Sequence, residues 1–123
     1  MSPEQKIWHL STANDLPDLL GKQQSVLCYG HFNIIHPGHI RYLEYAKSLG
    51  KRLIVAVQGD QMFTHSGSSH HFTAQERALG LAWLNIVDGI LILDVGDLAE
   101  AINLLRPILW SWARSLKNPA MGN

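Results

Sequence analysis

Two histidines three positions apart, His36 and His39, are the side chains of this sequence best suited to chemistry. Pro37 fits the first turn of a helix, where a missing N–H costs nothing. Both imidazole rings are then expected on one face of that helix, near the positive end of its dipole. Imidazoles in that place can donate hydrogen bonds to phosphate oxygens and, when cationic, can offset developing negative charge. The spacing therefore predicts polyphosphate chemistry.

This turn needs a strand before it and a helix after it, and the sequence supplies both. Residues 25–30 form a short apolar run that ends at Gly30, which is typical of a buried strand. A helix is predicted over about residues 37–49, because apolar side chains recur there at helical spacing and Gly50 follows. Gly30 lets the backbone leave the strand tightly, and we expect Gly38 to let a ligand approach free N–H groups at the helix start.

The rest of the chain repeats the alternation of strands and helices. Apolar runs at residues 52–57 and 90–93 predict two further strands, and the absence of polar alternation indicates burial on both faces of a parallel sheet. Helices are predicted over about residues 73–84 and 97–105, with a capping box at the start of the first. The order β-α-β-α-β-α predicts an α/β, Rossmann-like fold: a doubly wound parallel sheet with helices on both faces.

The composition excludes several classes of function. The 123 residues have the length of one domain, and 46% hydrophobic residues suffice for a buried core. Ten Lys and Arg balance ten Asp and Glu, so the chain lacks the excess of cations that wraps nucleic acid. One cysteine forbids an internal disulfide, and no apolar run approaches the ~20 residues that span a bilayer. Without a signal-peptide pattern, we expect a cytoplasmic protein that binds neither nucleic acid nor membrane.

Residues 30–39 resemble the first signature of the cytidylyltransferase-like nucleotidyltransferase family, Gly-x-Phe-Asp-x-x-His-x-Gly-His, at every fixed position except Asn33. Two histidines and two glycines at fixed spacing in a strand-to-helix turn are a specific signal. The resemblance covers about residues 25–107. The family includes enzymes that activate heptose phosphates or glycerol phosphate. It continues at these positions: Arg41, Leu43, Ala46, Lys47, Gly50, Glu76, Arg77, Val87 and Asp88.

The resemblance implies transfer of a CMP or AMP group from CTP or ATP to a phosphorylated small molecule, with Mg²⁺ and release of pyrophosphate. His36 and His39 would be the catalytic residues, binding the triphosphate and stabilising its transition state. His31 and Phe32 would contact the α-phosphate side through their backbones, and Arg77 would contact substrate or phosphate. The implied nucleotide- or phosphate-binding set is Gly30, His31, Phe32, Asn33, Pro37 and Gly38. Because family members often dimerise, the resemblance also suggests a homodimer.

Three departures from the family pattern affect this interpretation. Asn33 keeps the size and one acceptor oxygen of the usual Asp but loses its negative charge. The predicted loop 61–72, which usually supplies lysines to phosphates, has His65, His70 and His71 instead. After Pro107 the sequence matches neither the fourth strand of the family nor its second phosphate-binding signature.

We therefore divide the chain into three parts. Residues 1–24 form a polar lead-in with a short helix capped by Asp15, residues 25–107 form the nucleotide-binding domain, and residues 108–123 form a divergent tail. We interpret the tail as the result of truncation or of a reading-frame shift near residue 108, and the alternative is a genuinely divergent tail. Permitted codons for residues 109–117, read in another frame, give the apolar-Gly-x-acid-aromatic pattern of the family, and sequencing the gene tests this hypothesis.

Other interpretations remain open for the function and for single residues. The chain could be an inactive, truncated nucleotide-binding remnant, or an adenylyltransferase of the coenzyme-biosynthesis type. His36 and His39 could be surface residues or a zinc pair, although the further ligands that zinc needs are not at short spacing. Arg77 could form only a surface pairing on its helix. If the tail is out of frame, Trp110 and Trp112 have no evolved role.

Overall fold

The fold is a single sheet flanked by helices, seen in a computed structural model that describes residues 2–13, 24–33, 35–63, 72–112 and 115–117. The strands are β1 (Ile7–His9), β2 (Ser25–Gly30), β3 (Arg52–Gln58), β4 (Gly89–Leu93), β5 (Leu109–Trp112) and β6 (Ser115–Lys117). The helices are α1 (Pro37–Ser48), α2 (Ala74–Ala82) and α3 (Leu98–Leu105). Short 3-10 turns cover Pro3–Lys6, Leu10–Thr12 and Asp60–Phe63.

The strand order is β1-β4-β3-β2-β5-β6, and every neighbouring pair is parallel except β5 with β6. The predicted Rossmann-like α/β fold is thus confirmed, with an antiparallel strand added at one edge. The apolar side chains of β3 and β4 are buried on both faces of the sheet, as their uninterrupted apolar sequences predict.

Helices cover the two faces of the sheet in a way that fixes the place of the predicted phosphate turn. Side chains of α1 and α2 share one core cluster with β2, β3 and β4, and those of α3 share a second cluster on the opposite face. The chain runs from β2 outwards to β3 and β4, and then returns through α3 to β5 on the other side of β2. Ligands of such sheets bind at this change of direction, beyond the carboxyl end of β2.

The N-terminal lead-in contains a strand that the sequence did not predict. β1 pairs in parallel with β4, so that Ile7 lies opposite Ile90 and His9 lies opposite Ile92. Ile7 and Trp8 pack against opposite core clusters, but three residues are too few to show a periodic pattern. The helix predicted after Asp15 lies outside the described residues.

Residues after the predicted boundary at 107 also contribute to the sheet. β5 pairs with β2, and Trp110 packs against the core cluster that contains α3. The Tyr42 hydroxyl lies 2.6 Å from the buried hydroxyl of Ser111, which ties α1 to β5. No helix within the described part of the chain is long and apolar enough to cross a membrane.

Asp88 lies at the amino ends of β3 and β4 and holds this end of the sheet together. Its carboxylate accepts a hydrogen bond of 2.8 Å from the Leu53 amide and lies 2.5 Å from Lys47 Nζ, while Arg52 approaches at 3.5 Å. These contacts join the end of α1 to the starts of β3 and β4. The Val87-Asp88 pair of the sequence resemblance therefore acts at the amino ends of the strands, away from the predicted phosphate turn.

Candidate functional site

The turn after β2 has a backbone conformation that few residues adopt. Phe32 is 4% exposed and has a φ of 53°, in the left-handed region that is uncommon for a bulky side chain. Its ring lies against Gly30, where a Cβ atom would be 2.8 Å from Phe32 Cε2. The ring also meets His39 edge-on, with a centroid distance of 5.6 Å. Gly30 is thus required because Phe32 folds back over it.

The two histidines cap the helix that carries them. His36 is the N-cap of α1, and its Nδ1 atom accepts a hydrogen bond of 3.0 Å from the Gly38 amide. His39 Nδ1 in turn accepts a hydrogen bond of 3.3 Å from the His36 amide. This is a capping box built from imidazoles, in which each ring satisfies one N–H group at the helix start. Pro37 occupies the first helical position, as predicted.

Capping determines which nitrogen of each ring faces outwards as a donor. With Nδ1 accepting, the proton of a neutral imidazole is assigned to Nε2. The two ring centroids are 4.0 Å apart, with an angle of 41° between the planes. His36 is exposed and His39 is half-buried. The helix start therefore presents two adjacent Nε2–H donors, an arrangement suited to the oxygens of a phosphate chain.

The charge state of His39 is also set by its surroundings. Burial lowers the pKa of His39, and the neighbouring His36 lowers it further. At neutral pH His39 is therefore an uncharged donor that still carries its Nε2 proton. A bound anion would raise this pKa, because a negative charge favours the imidazolium form.

The expected reason for Gly38 is wrong. Its N–H group is not free for a ligand, because His36 Nδ1 accepts from it. A Cβ atom at Gly38 would lie 2.7 Å from Cε1 and 3.0 Å from Nδ1 of His36. Glycine is therefore needed here to make room for the imidazole that caps the helix.

Asn33 links the turn to the start of α2. Its Oδ1 atom accepts a hydrogen bond of 2.7 Å from the Phe72 amide. An aspartate could accept the same bond, so the family's Asp is replaced here without losing this acceptor. What the substitution removes is one negative charge beside the turn.

Arg77 is buried and holds three segments together. Its side chain is 0% exposed, and it donates hydrogen bonds of 2.9 Å to the His31 carbonyl and 2.9 Å to the Phe72 carbonyl. It also donates to Asp60 Oδ1, at 3.2 Å. The guanidinium borders a cleft of about 540 Å³ between the turn and α2. The surface pairing considered for Arg77 is therefore wrong, since its partners come from three separate loops.

Asp60 is a structural partner of both Arg77 and α2. Its Oδ1 atom accepts from Arg77 and also from the Ala74 amide, at 2.8 Å, so it caps α2 from another segment of the chain. Sequence spacing could not reveal this cap, because residues 60 and 74 are brought together only by the fold. His65, His70 and His71 lie outside the described residues.

The described residues contain no group of three or more His, Cys, Asp or Glu side chains placed to hold a metal ion. Cys28 is buried in β2, and burial raises the pKa of its thiol to about 11. A thiol that stays protonated is a poor zinc ligand. The zinc alternative for His36 and His39 therefore finds no support in the described part of the chain.

The chain is similar to known proteins over most of its length. The family model described as cytidylyltransferase-like matches residues 27–111. An FAD synthase from Picrophilus torridus is 33% identical over 82 residues, covering 67% of this chain and 59% of the relative. A bifunctional protein HldE from Koribacter versatilis is 34% identical over 103 residues, covering 78% of this chain and 21% of the relative. The chain thus spans about three fifths of one relative and one fifth of the other.

A solved structure shows the same fold. The lipopolysaccharide core biosynthesis protein from Thermoplasma volcanium matches with a TM-score of 0.64 and 30% sequence identity. The match covers 72% of this chain and 72% of that protein.

Proposed function

The chain belongs to the cytidylyltransferase-like family, and we propose that it transfers a nucleotidyl group from CTP or ATP to a phosphorylated small molecule, releasing pyrophosphate. The observation that carries this proposal is the pair of capped imidazoles, His36 and His39, at the start of α1. Both rings use Nδ1 to satisfy the helix and so offer Nε2–H on adjacent positions. This end of the helix also lies at the change of direction of the sheet.

The proposed reaction is an in-line displacement at the α-phosphorus. An oxygen of the acceptor phosphate forms a bond to the α-phosphorus, the bond from that atom to the oxygen bridging to the β-phosphorus breaks, and its electron pair leaves with pyrophosphate. No covalent enzyme intermediate is needed, so catalysis consists of positioning and charge stabilisation. His36 and His39 donate from Nε2 to phosphate oxygens, and the backbones of His31 and Phe32 line the α-phosphate side.

Mg²⁺ enters this scheme with the substrate. Among the described residues, Asn33 Oδ1 and Asp60 Oδ1 already accept backbone hydrogen bonds, and no cluster of ligands surrounds the turn. The phosphates and water would therefore hold the ion, as Mg²⁺ is commonly bound. When bound, it supplies neutralisation of phosphate charge.

Two alternatives to this proposal differ from it in the donor nucleotide or in whether the chain turns substrate over. The relatives named FAD synthase favour an adenylyl donor, because FAD contains adenine, and they support the alternative of a coenzyme-type adenylyltransferase. The other alternative is a remnant that binds nucleotide without turnover. Since nucleoside triphosphates are the co-substrates in each case, we propose a cytoplasmic location.

Release of pyrophosphate from CTP or ATP, in the presence of Mg²⁺ and a panel of sugar, polyol, aminoalcohol and flavin phosphates, tests the proposal. We expect turnover that falls about tenfold to a hundredfold in His36→Ala and in His39→Ala, since a hydrogen bond to a charged group contributes about 1.5–3 kcal/mol. Tyr45→Ala, at an exposed position of the same helix, is the matched control.

Three outcomes separate the alternatives. Turnover with a flavin phosphate and ATP alone selects the coenzyme-type enzyme. Nucleotide binding that depends on His36 and His39 but yields no pyrophosphate selects the remnant. A chain that binds neither CTP nor ATP contradicts the proposed function.

A further inference from the structure

The guanidinium of Arg77 connects the phosphate turn to two other loops. It donates to the carbonyl of His31 at 2.9 Å, the last backbone group before the left-handed Phe32. It also donates to the carbonyl of Phe72, whose amide donates to Asn33. The peptide that precedes Phe32 and the side chain of Asn33, which follows it, are therefore both joined to the segment that begins α2.

The conformation of Phe32 requires such support. A bulky residue with a φ of 53° is strained, and strained residues persist only where surrounding contacts hold them. The Phe32 ring packs against Gly30 and His39, which fixes its side chain. The Arg77 bond to His31 fixes the preceding peptide unit, whose rotation would otherwise let φ of Phe32 relax.

We propose that Arg77 is a positioning residue: it holds the His31–Phe32 peptide so that the turn stays in the conformation that receives the triphosphate. The inference rests on the proposed function only for what the turn binds. It differs from the role implied by the family resemblance, in which Arg77 contacts substrate or phosphate directly. Burial of the whole side chain and its bonds to backbone carbonyls support positioning rather than contact.

Asp60 orients the guanidinium of Arg77. Its Oδ1 atom accepts both from Arg77 and from the first amide of α2. A planar fork with several fixed donors can reach carbonyls of two loops and a carboxylate together, whereas a lysine ammonium cannot. Arg77→Lys should therefore keep the charge beside Asp60 and still release the His31 carbonyl.

The test compares Arg77→Met with Lys47→Met. The second variant removes a cation from the Asp88 ion pair, which lies at the amino ends of the strands, away from the turn. For each variant, binding of CTP and ATP is measured by calorimetry, and amide and imidazole signals are recorded by NMR without nucleotide. We expect Arg77→Met to weaken nucleotide binding about tenfold to a hundredfold, because the competent turn becomes a minor conformer. Lys47→Met should change affinity by less than about twofold, because Lys47 lies away from the turn.

The NMR arm decides the inference independently of nucleotide binding. We expect the amides of His31, Phe32 and Asn33 and the ring of His39 to shift in Arg77→Met, and in Arg77→Lys if the first variant does not fold. Unchanged turn signals overturn the inference, and lost affinity with an unchanged turn assigns Arg77 to direct ligand contact. If the wild type binds no nucleotide, the proposed function fails, while the NMR comparison still supports or overturns the positioning role.

Discussion

Replacing Gly38 with alanine separates the role of the His36 imidazole from the stability of the fold. The added methyl group would lie 2.7 Å from His36 Cε1, so the ring must leave its place above the helix start. The imidazole can rotate about its side-chain bonds, and the backbone of α1 can stay where it is. The change therefore breaks the bond from the Gly38 amide to Nδ1 and removes one of the two outward Nε2–H donors.

In Gly38→Ala, the gain in helix propensity and the loss of the His36 cap nearly cancel in the free energy of unfolding. The free energy of nucleotide binding has no such compensation. Alanine gains up to about 1 kcal/mol over glycine in a helix. Loss of the His36 cap costs about 0.5–2 kcal/mol. The free energy of unfolding should therefore change by no more than about 1 kcal/mol. Loss of one hydrogen bond to a phosphate oxygen costs about 1.5–3 kcal/mol, which weakens nucleotide binding about tenfold to a hundredfold.

Gly80→Ala provides the matched control, because it makes the same change in α2 where no atom lies within 4 Å of the new methyl group. It should stabilise the fold by about 0.4–1 kcal/mol and leave nucleotide affinity unchanged. Urea unfolding gives the stabilities, and titration calorimetry with CTP and ATP gives the affinities. Wild-type affinity in Gly38→Ala, or an equal loss in Gly80→Ala, would refute the role assigned to the His36 ring.

Three further predictions address other parts of the structure. Asp88→Ala leaves the Leu53 amide without its carboxylate acceptor and should cost about 2–3 kcal/mol in urea unfolding while nucleotide affinity stays the same. Tyr42→Phe removes the hydroxyl that meets buried Ser111 and should cost about 1 kcal/mol in the same assay, with unchanged affinity. Because the pKa of His39 is lowered, its contribution to stability is complete above about pH 6.5 and declines as the pH falls further. A triphosphate favours the protonated ring, so binding near pH 6 should take up protons, which calorimetry in buffers of different ionisation enthalpy detects.

The sequence predicted the elements that carry strong local signals. Gly30 and Pro37 mark the end of β2 and the start of α1, and the structure places both boundaries there. β1 escaped prediction because three residues give no period, and its pairing with β4 depends on the fold. The order of these strands could not be read from residue spacing alone.

The roles of Gly38 and Arg77 depend on side-chain geometry, which residue type and spacing do not reveal. Gly38 was expected to let a ligand approach free N–H groups at the helix start, but the neighbouring imidazole already accepts from its amide. From the sequence, Arg77 was expected to be a surface or substrate residue, because the partners of its guanidinium include residues 5, 17 and 46 positions away. Such contacts form only when the sheet brings the loops after β2 and β3 to one edge.

The most direct test of the central claim is a long-range proton–nitrogen NMR correlation of the histidine side chains, recorded before and after CTP or ATP is added with Mg²⁺. We predict that, without nucleotide, His36 and His39 both carry their proton on Nε2 at pH 7.5, and that their Nε2 signals shift together on binding. Protonated Nδ1 in either ring before nucleotide is added, or signals that do not respond to either nucleotide, would contradict the role assigned to the two rings.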